Sequence, residues 1–405
     1  MQIILFEDYL VGEIRPVTLG RAAFTVGMGG TNLYDLVKRK SLPVSYLVRE
    51  YLREITLRNF SNEPLGRKDL LFLNASLPPS VSILEKVLAQ CEKNKAFVAQ
   101  TDHRVAAAFF PDLDFSFNRV DEISITNFLL AQEYELLEDR LPLINYPFDI
   151  IKYNQAYFED NLQHIKGDYE NISSGVYVGK DTKIHPTVCF NSEKGTIIIG
   201  DGVSIGPFVY LQGPLYIGSH SRIIERTSIK EFSHIGHTCK AGGEIEASVI
   251  ESYSNKQHHG FLGHSYVGSW VNMGAGTSNS DLKNTYGEIS VVYRGEVLDT
   301  GKQFLGCVIG DYSKTAINTS IFTGKIIGIS SYIYGFVSGN VPSFCNYAKI
   351  FGQVTEYYLS SAIRTQERVF ARRGIKQEQV HIKLLEDIYR LTRDERMMST
   401  ESLFL

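Results

Sequence analysis

The sequence predicts an α/β domain over residues 1–167, a parallel β-helix of hexapeptide repeats over 176–345 and a helical tail over 355–405. Three observations carry this. Large aliphatic side chains recur every sixth residue at Ile199, Ile205, Leu211, Ile217, Ile223, Ile229 and Ile235. Six is a multiple of the strand period of two and of no helical repeat, so the chain coils as stacked short strands and turns. Before residue 167, compact apolar runs alternate with amphipathic stretches, and after residue 355 the apolar spacing becomes helical.

In the first domain, Ile3 to Phe6 and Leu70 to Leu73 read as buried strands. Ser80 to Lys95 reads as a helix with a capping box at Ser82 and Glu85. Ala96 to Ala99 and Val105 to Phe110 read as strands, and Ile125 to Leu137 and Gln155 to Ile165 as helices, in a doubly wound pattern. Gly167 to Gly175 is the expected boundary. The hexads return at Ile309, Thr315, Ile321, Ile327 and Ile333, with Gly and Asn expected at corners needing positive φ. In the tail, Thr355 to Phe370 and Gln377 to Thr392 read as helices, with Gly374 capping the first. They are expected to cover the open end of the coil or a neighbouring subunit.

A net charge of -4, with 41 basic against 45 acidic residues, leaves no electrostatic footprint for nucleic acid. Five scattered cysteines without a CxxC pair point to reduced thiols in a cytoplasmic setting. The acidic Glu7 and Asp8 directly after the first apolar run argue against a signal peptide, and no apolar run approaches membrane-spanning length.

The hexad register breaks between about 239 and 308, and polar residues concentrate there: Ser254 to His264, then Val271 to Asn284. Irregular turns on a rigid scaffold are where sites are built. A histidine such as His258 can take a proton near neutral pH, and the adjacent Lys256 can hold an anion. Read blandly, these histidines are surface groups, Asn279, Asp281 and Asn284 serve turns, and Arg15 and Arg21 solvate a loop.

The hexads, Lys256-x-His258-x-x-Phe261 and Asn272 to Thr277 resemble the acetyltransferase half of the bifunctional enzyme that makes UDP-N-acetylglucosamine from glucosamine 1-phosphate. The whole chain resembles a divergent bacterial branch of that family. The segments that carry this are Ile4 to Phe6, Arg15 to Arg21, Leu73 to Pro78, Tyr146 to Ile151, Lys240 to Glu244, Ser254 to Lys256 and Ala371 to Gly374. The resemblance implies a nucleotidyltransferase-like, Rossmann-like first domain and a left-handed β-helix that trimerises, with acyl sites between neighbouring prisms. It implies acetyl-CoA as donor, an amino sugar phosphate as acceptor, His258 as general base, and Lys256, Asn279 and Asp281 as acceptor-binding residues. In the first domain it implies nucleotide contacts at Arg15, Thr18, Arg21 and Asn74, with Mg2+. Departures accompany it: Phe261 replaces a tyrosine, Asp281 an asparagine, and Glu246 stands where a phosphate-binding lysine is expected. Glu7 and Asp8 replace the glycines of the triphosphate loop, Gly27 to Thr31 being only a look-alike. Asn74 replaces a metal-binding aspartate.

Two other classes stay open. His259 and His264, with His234, His237 or His220, are similar in spacing to the three-histidine zinc site of β-helical carbonic anhydrases. The other is a non-catalytic scaffold that senses a sugar nucleotide.

Overall fold

The structure, a computed structural model, describes residues 1–66, 68–113, 122–138 and 140–401. The last four residues of the expected tail lie outside the described residues.

The first domain is built on a six-stranded mixed sheet in the order β2-β1-β3-β5-β4-β6. Its strands are β1 (Gln2–Phe6), β2 (Val44–Leu47), β3 (Leu70–Asn74), β4 (Phe97–Thr101), β5 (Arg104–Phe110) and β6 (Glu135–Leu137). Side chains of β1 alternate between two cores, as a strand period of two requires. Ile3 and Leu5 join the larger core with Val81 and Leu84, while Ile4 and Phe6 meet Ile125 and Leu129 on the opposite face. Helices α1 (Leu33–Lys38) and α2 (Arg53–Asn59) are short. Helix α3 (Val81–Cys91) is capped by Ser80, whose side chain accepts from the Ile83 amide, rather than by Ser82. The stretch read as one helix from Ile125 is α4 (Glu122–Leu130) followed by β6, and α5 starts earlier than expected, at Asp149–Ile165.

Behind it stands a left-handed parallel β-helix, its short strands stacked coil over coil in mainly parallel sheets. Leu215 lies over Ile197 and Ser233 over Leu215, so one coil consumes eighteen residues, or three hexads. All seven aliphatics of the hexad run point into the shaft and are at most 3% exposed. The glycines after them act differently from expectation. Gly200, Gly206, Gly218 and Gly236 do not adopt positive φ; a Cβ there would come within 2.6–2.8 Å of backbone atoms of the following coil. They permit close stacking. Positive φ falls, as expected, on other glycines such as Gly202, Gly243 and Gly276 and on Asn318, and also on corner residues with larger side chains such as His220, Thr238, Tyr253, Trp270 and Tyr312. That conformation costs about 1–2 kcal/mol per residue, offset here in part by stacking: the Tyr253 and Trp270 rings lie 4.2 Å apart at 3°.

The break in the hexads has two causes. Coils shorten, with Val249 only fifteen residues beyond its partner His234. Then an antiparallel hairpin, Ile289–Tyr293 with Glu296–Lys302, is inserted before the coil resumes at Cys307–Ile309. The hairpin reaches back to the first domain. Ile289, Val291 and Tyr293 enter the same core as Leu5, Leu73 and Ile144, together with Val249, Tyr266 and Val308 from the outer face of the β-helix. One continuous apolar core therefore joins the two parts.

The tail begins with a strand, Gln353–Glu356, antiparallel to Cys345–Ala348, which covers the last open edge of one sheet. Helices α6 (Leu359–Ala371), α7 (Gln379–Leu391) and α8 (Arg393–Glu401) follow. Gly374, at φ +68, ends the turn after α6. The helices lie along the side of the prism, wedged between Leu19, Leu52 and Ile55 of the first domain and Ile329 and Phe344 of the β-helix.

Candidate functional sites on the two domains

At the carboxyl end of β1, where a phosphate-binding loop would need free backbone amides, the space is filled by two buried ion pairs. Glu7 accepts from Arg49 Nε at 2.9 Å and Nη2 at 3.0 Å. Asp8 accepts from Arg104 Nε at 2.7 Å and Nη2 at 2.9 Å. Asn74 is 0% exposed; its Nδ2 donates to Asp8 Oδ2 at 2.8 Å and its Oδ1 accepts from the Ser76 amide. Thr18 is equally buried, donating to the Val11 carbonyl. Arg15 is half-buried, and its Nε has no hydrogen-bond partner among the described residues. Arg21 turns away to the β-helix, pairing with Glu251 at 2.8 Å and Asp311 at 2.7 Å. Burial opposes its charge, but these carboxylates outweigh that and raise its pKa. The four residues expected to contact nucleotide thus do not converge on one cleft.

Mg2+ fits poorly here. Asp8, the carboxylate beside Asn74, already holds a guanidinium, and among the described residues no three His, Cys, Asp or Glu side chains form a group able to hold a metal ion. The Gly27 to Thr31 turn is no phosphate cradle either. Its amides are taken by Glu251 (from Gly27), Asn154 (from Gly29) and His234 (from Gly30) at 2.8–3.0 Å.

On the β-helix, His258 and His259 are exposed on a bend between Asn255–Lys256 and Phe261–Gly263. Lys256 does not face solvent. It occupies the shaft position of Ala241 one coil earlier, is 2% exposed, and donates from Nζ to the His258 carbonyl at 2.7 Å and the Gly242 carbonyl at 3.1 Å. Burial lowers its pKa to about 8. Lys256 is therefore placed to hold the bend carrying His258, not to meet a ligand directly. Asn279 is also turned inward, exchanging hydrogen bonds with the amide and carbonyl of Gly263 at 2.9 and 3.0 Å. Asp281 stays near the surface, its Oδ2 2.9 Å from His264 Nδ1, and both Asp281 and the Phe261 ring crowd the face of Gly263. Glu246 bonds Lys230 at 3.1 Å, and Lys230 also meets Glu244 at 2.6 Å. These bonds, Glu244 first, raise the Lys230 pKa.

Of the histidines of the zinc reading, His220, His234 and His237 line the junction between the domains and His259 and His264 do not, and among the described residues none of them joins a group able to hold a metal ion. His234 accepts from Gly30 within the domain junction, and burial lowers its pKa to about 4. His264 is held by Asp281, and His259 sits on the exposed bend. Sequence reasoning missed Arg49 and Arg104 as functional neighbours. Both are single basic residues, 42 and 96 positions from their carboxylates, and no local pattern marks them.

Residues 3–175 match the sugar nucleotidyl transferase family. A bifunctional sugar-1-phosphate nucleotidylyltransferase/acetyltransferase of Sulfurisphaera tokodaii is 33% identical over 147 residues, 35% of this chain and 36% of that protein. The bifunctional protein GlmU of Synechococcus sp. (strain JA-3-3Ab) is 29% identical over 216 residues, 49% of this chain and 30% of that protein. The aligned stretches span about a third of the length of these curated relatives. A solved Arabidopsis UDP-N-acetylglucosamine acyltransferase overlays with a TM-score of 0.29 at 14% identity, covering 56% of this chain and 92% of that one. Residues 3–175 are thus similar to sugar nucleotidyl transferases, and parts of the chain are similar to bifunctional sugar-1-phosphate nucleotidylyltransferase/acetyltransferases.

Proposed function

We propose that the β-helix, residues 176–345, carries out acetyl-CoA-dependent N-acetyl transfer to an amino sugar phosphate, and that residues 1–167 form a nucleotidyltransferase fold without nucleotidyl transfer. The observation that carries the first half is the exposed His258, on a bend fixed from inside by Lys256. As the amine nitrogen attacks the thioester carbonyl, His258 takes its proton; the N–C bond forms, the C–S bond breaks, and the departing CoA thiolate accepts a proton. Asp281 and the Phe261 ring lie together against Gly263, and Asp281 orients the neighbouring His264. Lys230 with Glu244 and Glu246 leaves an acidic surplus on this face, which suits the amine end of the acceptor. Its phosphate then reaches the neighbouring prism of a homotrimer. The Glu7–Arg49 and Asp8–Arg104 pairs support the second half, since they fill the carboxyl end of β1, where a phosphate-binding loop would need free amides.

The test is a screen of amino sugar phosphates with acetyl-CoA, following free thiol. Release that depends on the acceptor supports the reading. Thiol release with none of them, by protein of intact fold and assembly, sinks it.

A further inference from the structure

The first domain, the β-helix and the tail enclose a cavity of about 740 Å³, within the range of small-molecule sites. Its β-helix wall is one repeated corner. Ile217, Ile235, Ile250, Val267 and Ile309 are stacked in register, so the residues two positions on, Ser219, His237, Ser252, Ser269 and Asp311, form a column along the coil axis. All five line the cavity. At about 4.8 Å between neighbouring strands, the column spans roughly 19 Å.

The three serines share a bonding state. Ser219 Oγ accepts from the Asp201 amide at 3.1 Å, Ser252 Oγ from the His237 amide at 3.2 Å, and Ser269 Oγ from Arg21 Nη2 at 2.8 Å. A hydroxyl also has a hydrogen to give, and among the described residues none of the three has an acceptor for it. A row of donors thus faces the cavity.

The charges on the walls disfavour an anion. Arg21 is shared between Glu251 and Asp311, and Arg58 is engaged by Glu378. Asp35 adds a further carboxyl. His237 is held toward its neutral form, chiefly by burial. Among the described residues both lining guanidinium groups are thus engaged by carboxylates, whereas the serine hydroxyls, the imidazoles and the Asn59 amide suit a ligand rich in hydroxyl groups.

We propose that this junction cavity binds a sugar without a phosphate group, held by its hydroxyls along the Ser219–His237–Ser252–Ser269 column. This site is separate from the proposed acyl-transfer face. Calorimetry and saturation-transfer NMR on the full chain, with glucose, glucosamine, N-acetylglucosamine and glucosamine 1-phosphate as probes, test it. At least one of the three phosphate-free sugars should bind. Ser252→Ala and His237→Ala should each weaken that binding about tenfold, as loss of one or two hydrogen bonds does, with thermal unfolding showing both variants folded. The proposal is overturned if none of the three binds the wild-type chain, if binding survives both substitutions, or if glucosamine 1-phosphate occupies the cavity more tightly than glucosamine. If one variant does not fold, the other decides.

Discussion

Asp8 and Arg104 face each other beneath the carboxyl end of β1, each 1% exposed and joined by two hydrogen bonds of 2.7 and 2.9 Å. Removing one partner of such a pair strands a buried charge, which costs about 3–5 kcal/mol, whereas replacing both with apolar groups is often nearly neutral. Arg104→Met should therefore lower the urea midpoint strongly, and Asp8→Leu with Arg104→Met should recover much of the loss. A single variant as stable as wild type would show that the pair does not hold this end of the sheet.

The same plug bears on chemistry. Mixing the protein with a sugar 1-phosphate, a nucleoside triphosphate and Mg2+ should give no pyrophosphate above background, because both carboxylates at the end of β1 are engaged, Glu7 by Arg49 and Asp8 by Arg104 and Asn74. Rapid pyrophosphate release would refute this.

The shaft of the β-helix was legible in the sequence because a six-residue period has one structural solution, and each of the seven hexad aliphatics is buried as the period requires. The break in that period was legible too, but not its purpose. Ile289, Val291 and Tyr293 alternate as any exposed hairpin might, and only the folded chain brings them to the core of the first domain. Lys256 is the instructive site residue. Its charge suggested a ligand for an anion, but parity along the coil turns it inward, where main-chain carbonyls satisfy it.

That burial gives a pH signature. The folded-state pKa of Lys256 lies at about 8, below the roughly 10.4 of an unfolded chain. The unfolded state therefore binds more protons between these values, so stability rises with pH from about 8 to about 10.4 and is lost as pH falls back through that window. Replacing the lysine, as in Lys256→Met, should flatten this rise relative to wild type in urea titrations at pH 7.5, 8.5 and 9.5. Parallel curves for the two proteins would remove Lys256 as the source.

Exposed apolar side chains bear on assembly. Ile317 is 68% exposed, Phe322 47% and Phe336 57%, on neighbouring coils near the far end of the prism. Closed rotational symmetry would bury such a patch without leaving open contacts. Sedimentation should give a trimer of the 45.6 kDa chain, and Ile317→Asp with Phe336→Asp should shift it toward monomer. A wild-type monomer at micromolar concentration would contradict both the assembly and a shared acyl site.

Two histidines compete for the role of base. His258 is exposed on its bend, while His264 is the one oriented by a carboxylate, Asp281, the arrangement that usually fixes a catalytic imidazole. Acceptor access decides in favour of His258: the His264 side chain is only 14% exposed and stacks on Phe304 at 5.4 Å. His258→Ala should lower acetyl transfer by roughly 10² to 10⁴, the usual worth of a general base, with unfolding and sedimentation unchanged. His264→Ala should instead act through local packing, with a smaller fall in turnover. If His258→Ala kept full turnover and His264→Ala abolished it, the base would be the Asp281-bound imidazole, and the acceptor amine would have to approach over Phe304.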